Sequence, residues 1–432
     1  MLAAIDVANG RHGALFRDME QGRARAFVDM LADQAVASGN ERDLMADIRR
    51  LDRDIRRLRL ANATPGATNR TGLARTANLL DQRGQAVATL RQLNPELADT
   101  LSVATVTLGE AQAQLKQGEI LAYAVPTAAT SPIRWLLASR HRTRLVTANI
   151  SQTALAARLE DFVDAVALGA AGAQVDIAAS LAIDLGVDQW DAPKGVHMVP
   201  AGHLHSVPWG ALKQGYFIAV LPMGGWLNRP PSTLGRAGGA SVVGDPKFFG
   251  QLPQLPGARA EAVLVAKAHG VAPLLGDSAP EAALRKDTGA GTGVLHLATH
   301  GRFDADNPLN SAIMLAGRDG MSRLTAARLF EAPLRAQLVV LSACETGVGR
   351  AVAGDDYLGL TRSFYLGGAR TVLNSLWPVD NKGTQAFMIK FHALARNGNY
   401  GAAWLGARDA VKGMGYPPAV YGAFILGGSA RP

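Results

Sequence analysis

Val294-Leu295-His296-Leu297-Ala298-Thr299-His300-Gly301 and Leu338-Val339-Val340-Leu341-Ser342-Ala343-Cys344-Glu345 are two short apolar runs, each followed by one reactive side chain, His300 in the first and Cys344 in the second. Each run is too short for a buried helix, rich in Val and Leu, and stopped by a glycine-containing turn. That is the pattern of a strand buried on both faces of a parallel sheet. The reactive residues then fall at strand C-terminal ends, the edge where open α/β sheets bind ligands. Their separation, 344 − 300 = 44 residues, accommodates a strand, a turn and a crossover helix.

Outward from this pair the chain reads as two α/β units. The second begins after Pro230-Pro231 and the Gly-rich run 235–239, with a strand at Ala240-Ser241-Val242-Val243-Gly244 ending in Asp245-Pro246. Helices at 257–269 and from Pro280, a strand at 312–315 and a helix at 325–330 lead to and between the two runs. Beyond them come helix 356–366, strand 370–376, helices 381–396 and 402–411, and an edge strand at 419–426. The first unit, from Pro95, shows a short helix at 108–117, strands at 119–125, 133–138 and 144–148, and a helix at 151–166 capped by Ser151. A strand at 197–200 and a turn over 204–212 follow. The expected organisation is 1–95 helical, 96–235 a first half without chemistry, and 236–432 the half carrying His300 and Cys344.

Residues 1–95 read as a helix over 14–38, a second helix between the Gly39-Asn40 and Thr64-Pro65-Gly66 breaks, and a third over about 71–93 that ends at Asn94-Pro95. Leu44, Ile48, Leu51, Ile55 and Leu58 alternate steps of four and three, the seam of a helix packed lengthwise on another. Leu73, Ala77, Leu80, Val87 and Leu90 line the next helix, so an antiparallel coiled-coil hairpin is expected, packed on the main domain or offered to an activator.

Composition narrows the chemistry. One cysteine in 432 residues excludes an intramolecular disulfide and a Cys-cluster metal site and suits a reducing compartment, so a cytoplasmic protein is expected. Residues 1–13 show no basic n-region followed by an apolar h-region, so no signal peptide is expected. The Ala-rich stretch 162–187 is interrupted by Asp164, Asp176 and Asp184, so no membrane insertion is expected. A net charge of +8 raises nucleic acid as a partner, yet in the densest basic stretch, 41–60, seven arginines face five acids with no aromatic between them; no nucleic-acid partner is expected. No phosphate loop, H-E-x-x-H or G-x-S-x-G occurs, and the glycines at 289, 291 and 293 precede a strand instead of following one. Neither a cofactor nor a metal is expected.

His296-Leu297-Ala298-Thr299-His300-Gly301 and Leu341-Ser342-Ala343-Cys344-Glu345-Thr346-Gly347 resemble the two signature blocks of the CHAT domain family, caspase-like cysteine peptidases of clan CD. Val199 to Pro208, Val243-Gly244-Asp245-Pro246, Gly359-Leu360 with 364–369, Ser375-Leu376-Trp377 and Tyr421 to Gly427 resemble further segments of that family, over roughly 107–430. Tyr421 stands where the family often has Trp. The resemblance implies a caspase-like α/β fold, a mostly parallel central sheet flanked by helices and preceded by the helical region.

It also implies a cysteine endopeptidase with a His300/Cys344 dyad. A free thiol, with pKa about 8.5, is mostly protonated at neutral pH and needs an imidazole to take its proton. The backbone N–H groups of Gly301 and Cys344 would form the oxyanion hole. By the same resemblance the first substrate pocket draws on Asp245, Ser342, Ser375 and Trp377. Asp245 reads equally well as a pocket acid facing a basic substrate residue and as the cap of its own turn with Pro246. Asp355 and Asp356 read as helix N-terminal charges, and His296 as a core histidine. The expected activity is cleavage of one or a few protein substrates in a bacterial-type signalling or defence role, the substrate being encoded nearby, as with the pore-forming proteins beside some relatives. The alternative is a catalytically silent scaffold of the same fold.

Overall fold

The computed structural model describes residues 11–32, 39–62, 70–93, 98, 106–191, 193–212, 215–229, 239–289, 291–302, 304, 307–342 and 358–431. Cys344, Asp355, Asp356, the Pro230-Pro231 and 235–238 linker, and the breaks at Thr64-Pro65-Gly66 and Asn94-Pro95 lie outside the described residues.

The elements in order are α1 (His12–Ala32), α2 (Gly39–Asn62), α3 (Arg70–Leu93), α4 (Leu108–Gln114), β1 (Glu119–Val125), β2 (Pro132–Ala138), β3 (Thr143–Ser151), α5 (Gln152–Ala167), α6 (Ala171–Asp184), β4 (Gly195–Val199) and β5 (Phe217–Val220). Then come β6 (Ala240–Pro246), α7 (Pro256–His269), β7 (Leu274–Gly276), α8 (Glu281–Thr288), β8 (Thr292–Ala298), β9 (Gly301–Arg302), β10 (Ala312–Ala316), β11 (Met321–Thr325), α9 (Ala326–Glu331) and β12 (Ala336–Ser342). The series ends with α10 (Leu358–Leu366), β13 (Thr371–Ser375), α11 (Asn381–Ala395), α12 (Tyr400–Gly413), α13 (Pro418–Tyr421) and β14 (Phe424–Gly428).

Eleven strands form one sheet in the order β3-β2-β1-β4-β5-β14-β13-β12-β8-β6-β7. The two opening runs are its neighbours β8 and β12, parallel and in register from Ala336 opposite Thr292 to Ser342 opposite Ala298. Both faces are covered, as their unbroken apolar composition requires. One face packs Leu155, Leu159 and Phe162 of α5, Val265 of α7, Phe387 and Phe391 of α11 and Trp404 of α12; the other packs Phe16 of α1, Leu108 of α4, Leu329 of α9 and Phe364 of α10. Thr325 caps α9 and Ser151 caps α5, each accepting a backbone N–H from its helix.

The expected edge strand at 419–426 is corrected. Its first part is the short helix α13, and β14 lies inside the sheet, parallel to β5 and antiparallel to β13. All five β14 residues are buried, whereas an edge strand would leave one row of backbone groups open. Since β14 is the hinge in direction, β1, β4 and β5 run opposite to β6, β8, β12 and β13. The C-terminal ends of the two halves therefore emerge at opposite edges.

Three elements had no clear signal in the sequence: α6, β5 and the small antiparallel sheet β11-β10-β9, to which strand 312–316 belongs. The strand expected at 197–200 is β4, and the turn that follows it includes a 3-10 turn over 202–206, where the buried Trp209 indole N–H donates to the Leu204 carbonyl. In the N-terminal region α2 buries Met45, Ile48, Leu51 and Ile55 and packs on α3, which buries Arg83, Val87 and Leu90. Leu80, expected in this seam, is 40% exposed; the Arg83 guanidinium, 2.7 Å from Asp52, takes a place on the inward side instead.

Candidate active site

His300 leaves the end of β8 at the edge where β6, β8, β12 and β13 all terminate. Its backbone is held on both sides. The Thr299 hydroxyl donates to the Met314 carbonyl at 2.6 Å, and the Met314 N–H donates to the His300 carbonyl at 2.9 Å. The ring is held too: Nε2 lies 2.8 Å from the Pro253 carbonyl oxygen, and the Phe248 ring meets the imidazole edge-to-face with centroids 4.8 Å apart. A carbonyl only accepts, so the contact assigns the proton to Nε2, and in the neutral ring the lone pair then falls on Nδ1.

Ser342, the last residue of β12, pairs with Ala298, the last of β8. In the sequence His300 follows Ala298 by two residues and Cys344 follows Ser342 by two, and the strands that end at this matched pair neighbour one another at about 4.8 Å. Gly301 begins β9 opposite Ile313 of β10 and is buried, so it belongs to the strand that turns away from the sheet edge and not to a left-handed turn.

The other pocket residues end strands of the same edge. Ser375 closes β13 and is buried; Ser342 is half-buried. Trp377 follows β13 and is pinned, its indole N–H donating to the Ala419 carbonyl at 2.8 Å and its ring 5.7 Å from Phe162. Asp245 closes β6 but is turned inward and is 3% exposed. Its Oδ1 accepts from the Leu255 N–H at 2.6 Å and the Gln254 amide at 2.8 Å, and its Oδ2 from Arg259 Nε at 3.0 Å. Of the two readings of Asp245, these contacts belong to the local-turn one.

His296 is a core histidine, fully buried on the α7/α11 face, but its partners are unexpected. Its Nδ1 lies 3.1 Å from His392 Nε2 on α11, whose Nδ1 lies 3.0 Å from His269 Nε2 at the end of α7. Glu261 Oε1 is 3.0 Å from His296 Nε2, near in distance though not aligned as a hydrogen bond. Burial, then the neighbouring imidazoles, push the pKa of His392 well below the usual histidine range, and burial lowers that of His269. The rings form a line instead of converging on a point, and among the described residues no group of three or more His, Cys, Asp or Glu could hold a metal ion. No described helix is long and apolar enough to cross a membrane.

Phe248, Pro253 and Gln254 escaped sequence reasoning. Pro253 acts through its backbone carbonyl, which carries no side-chain signature, and the histidine line joins residues up to 123 positions apart. A pairing of His269 with His392 was visible only as two histidines on apolar helix faces.

Residues 153–410 match the CHAT domain. Tetratricopeptide repeat protein 28 of Mus musculus is 41% identical over 83 residues, covering 19% of this chain and 3% of that protein. Its Homo sapiens counterpart is 26% identical over 248 residues, covering 47% of this chain and 10% of that protein. The chain thus spans a tenth or less of these curated relatives. Among solved structures, separase of Saccharomyces cerevisiae in a separase-securin complex is similar at a TM-score of 0.50 and 10% identity, covering 96% of this chain and 40% of that one. The Arg specific cysteine proteinase gingipain R gives a TM-score of 0.40 at 9% identity, covering 60% of this chain and 68% of that one. The fold is the caspase-like α/β type, with helices preceding it.

Proposed function

Because this chain belongs to the CHAT domain family, whose members are caspase-like in fold, we propose that it is a cysteine endopeptidase working through His300 and Cys344. The observation that carries the reading is the register of Ser342 opposite Ala298, which brings the strands leading to the two residues to a common end.

In this reading the Cys344 thiol gives its proton to His300 Nδ1 as sulfur attacks the scissile carbonyl carbon. The oxyanion so formed is stabilised by the N–H groups of Gly301 and Cys344. Collapse of the tetrahedral intermediate breaks the C–N bond, and the leaving amine takes the proton back from His300. Water, deprotonated by the same imidazole, then hydrolyses the thioester and restores the thiol. The Pro253 carbonyl keeps the imidazole in one tautomer throughout, and the imidazolium formed in each step remains bonded to it.

The substrates we propose are one or a few proteins of a bacterial-type signalling or defence system in the cytoplasm, one of them encoded beside this chain, with the helical N-terminal region receiving an activator. The test is labelling with an electrophilic peptidyl probe followed by co-expression with candidate neighbouring proteins. Wild type should label at Cys344 and cleave, and Cys344→Ala should do neither while keeping the fold. A folded wild type that neither labels nor cleaves would leave a scaffold without turnover.

A further inference from the structure

We propose that Asp245 and Gln254 are positioning residues of the dyad: they close the 247–255 loop so that it holds the His300 imidazole in one orientation and one tautomer. The inference rests on the peptidase reading and adds a role that the dyad alone does not assign.

Two contacts to the His300 ring, from the Pro253 carbonyl and the Phe248 ring, come from this one loop between β6 and α7. The loop is tied across its mouth by one carboxylate. Asp245 Oδ1 receives Gln254 Nε2 and the Leu255 N–H, which flank Pro253 on its C-terminal side. Gln254 bridges to the other arm: its Nε2 also reaches the Pro246 carbonyl at 3.3 Å, and its Oε1 accepts from the Phe248 N–H at 3.2 Å. A single side-chain pair therefore ties both the residue that meets the imidazole edge-to-face and the residue whose carbonyl bonds it.

Two further features point the same way. Asp245 (φ 45°) and Phe249 (φ 53°) are the only non-glycine residues with positive φ among the described residues, and both lie at this loop. Strain of this kind persists where surrounding contacts over-determine the backbone, and it gathers at working sites. Gly244, just before Asp245, lies against α7 so closely that a Cβ would run into Ala262 and the Ala258 carbonyl. That approach brings Arg259 onto Asp245 Oδ2 at 3.0 Å and neutralises the acid from within the chain. A carboxylate held by three internal donors at 3% exposure is already spent as a partner for a substrate cation.

The test uses the purified full chain and iodoacetamide. Cys344 is the only thiol, so intact mass reports its alkylation alone. Rates are followed from pH 5.5 to 9.5 (assay settings, roughly three units below to one above the free-thiol pKa of about 8.5). The reference is His300→Ala, expected to follow a free thiol. Asp245→Asn keeps size and tolerates positive φ, so it tests the carboxylate and not the backbone. Gln254→Ala, at an exposed side chain, is the second variant should the first not fold. With far-UV spectra and melting unchanged, both should shift toward the His300→Ala profile, alkylating roughly three- to tenfold more slowly at pH 7 than wild type, equivalent to half to one unit of apparent thiol pKa. Folded variants that keep the wild-type profile while His300→Ala is displaced would overturn the positioning role and leave the dyad standing. A wild-type profile identical to that of His300→Ala would instead overturn the dyad on which the role depends.

Discussion

The carboxylate of Glu20 on α1 lies 2.7 Å from the backbone nitrogen of Gly224, its Oε1 accepting that N–H across 204 positions of sequence. Oε2 accepts the Gly225 N–H at the same distance, and the neighbouring Phe16 ring meets Tyr123 edge-to-face. These contacts seat α1 beyond the C-terminal ends of β1 and β5. That edge is opposite to the one at which β8 leads to His300.

Glu20→Ala should lower stability by about 2 to 6 kcal/mol, because two buried donors each lose an acceptor at roughly 1 to 3 kcal/mol. Burial raises the Glu20 pKa above 4.5, outweighing the two N–H bonds that lower it. A group whose folded pKa is raised contributes fully below its unfolded pKa and loses that contribution as pH rises through the folded value. The gap between wild type and Glu20→Gln in urea unfolding should therefore narrow from pH 4.5 to pH 7.5 (about the unfolded pKa and three units above it). A gap that widens over that interval would show the carboxylate bound as the stronger, ionised acceptor.

Glu119 behaves with the opposite sign. Burial alone would raise its pKa, but bonds from His197 and Arg431 and from the Lys116 N–H bring it down to about 2. The contribution is then present above the unfolded pKa of 4.5 and lost as pH falls toward 2. Glu119→Gln should cost a constant amount at neutral pH and progressively less in acid, read from unfolding midpoints of the two proteins side by side.

The buried histidine line makes a third pH-dependent term. His392 is faced by His296 and His269, with Glu261 beyond His296 and Arg396 beside His269. Its depressed pKa means the unfolded chain binds a proton that the folded chain refuses, so stability falls as pH drops below 6.5. His392→Gln should be less stable than wild type at neutral pH and show a shallower loss toward pH 5 (about 1.5 units lower). An unchanged slope would assign the acid sensitivity elsewhere.

Gly428→Ala should be among the most damaging single changes. Gly428 has φ 83°, and a Cβ there would run into the Arg370 carbonyl in the strand turn alongside β14. The expected cost exceeds about 2 kcal/mol, from a left-handed backbone and a contact with main chain that cannot yield. An unfolding free energy from urea denaturation within about half a kcal/mol of wild type, the range of a change that disturbs nothing, would mean the turn relaxes freely.

The parts of the fold legible in the sequence are those where chemistry and period coincide. β8 and β12 show as short Val/Leu runs because a strand covered on both faces needs no polar row, and His300 stands out because it ends one of them. β14 shows the same composition yet was expected at an edge. The rule that separates the two cases is which partners a strand finds, and that is settled by residues some 200 positions away, Ala219 and Val220 of β5. Asp245 illustrates the same limit at the site. Its type and place at a strand end fit a pocket acid and a turn cap alike, and the choice turns on Arg259 and Leu255, whose approach depends on the packing of α7. Pro253 had no signal at all, since any residue can offer a carbonyl.

The place of β14 also bears on the order in which the chain can assemble. It is the last of the described strands to be synthesised, yet the sheet cannot be joined without it. Until residues 424–428 leave the ribosome, β5 and β13 each present an open row of backbone donors and acceptors, a template for pairing with other chains. The strands that lead to His300 and Cys344 are all made before this closure. A nascent chain would thus hold the strands that lead to these two residues on one half of a divided sheet until β14 is threaded between the halves.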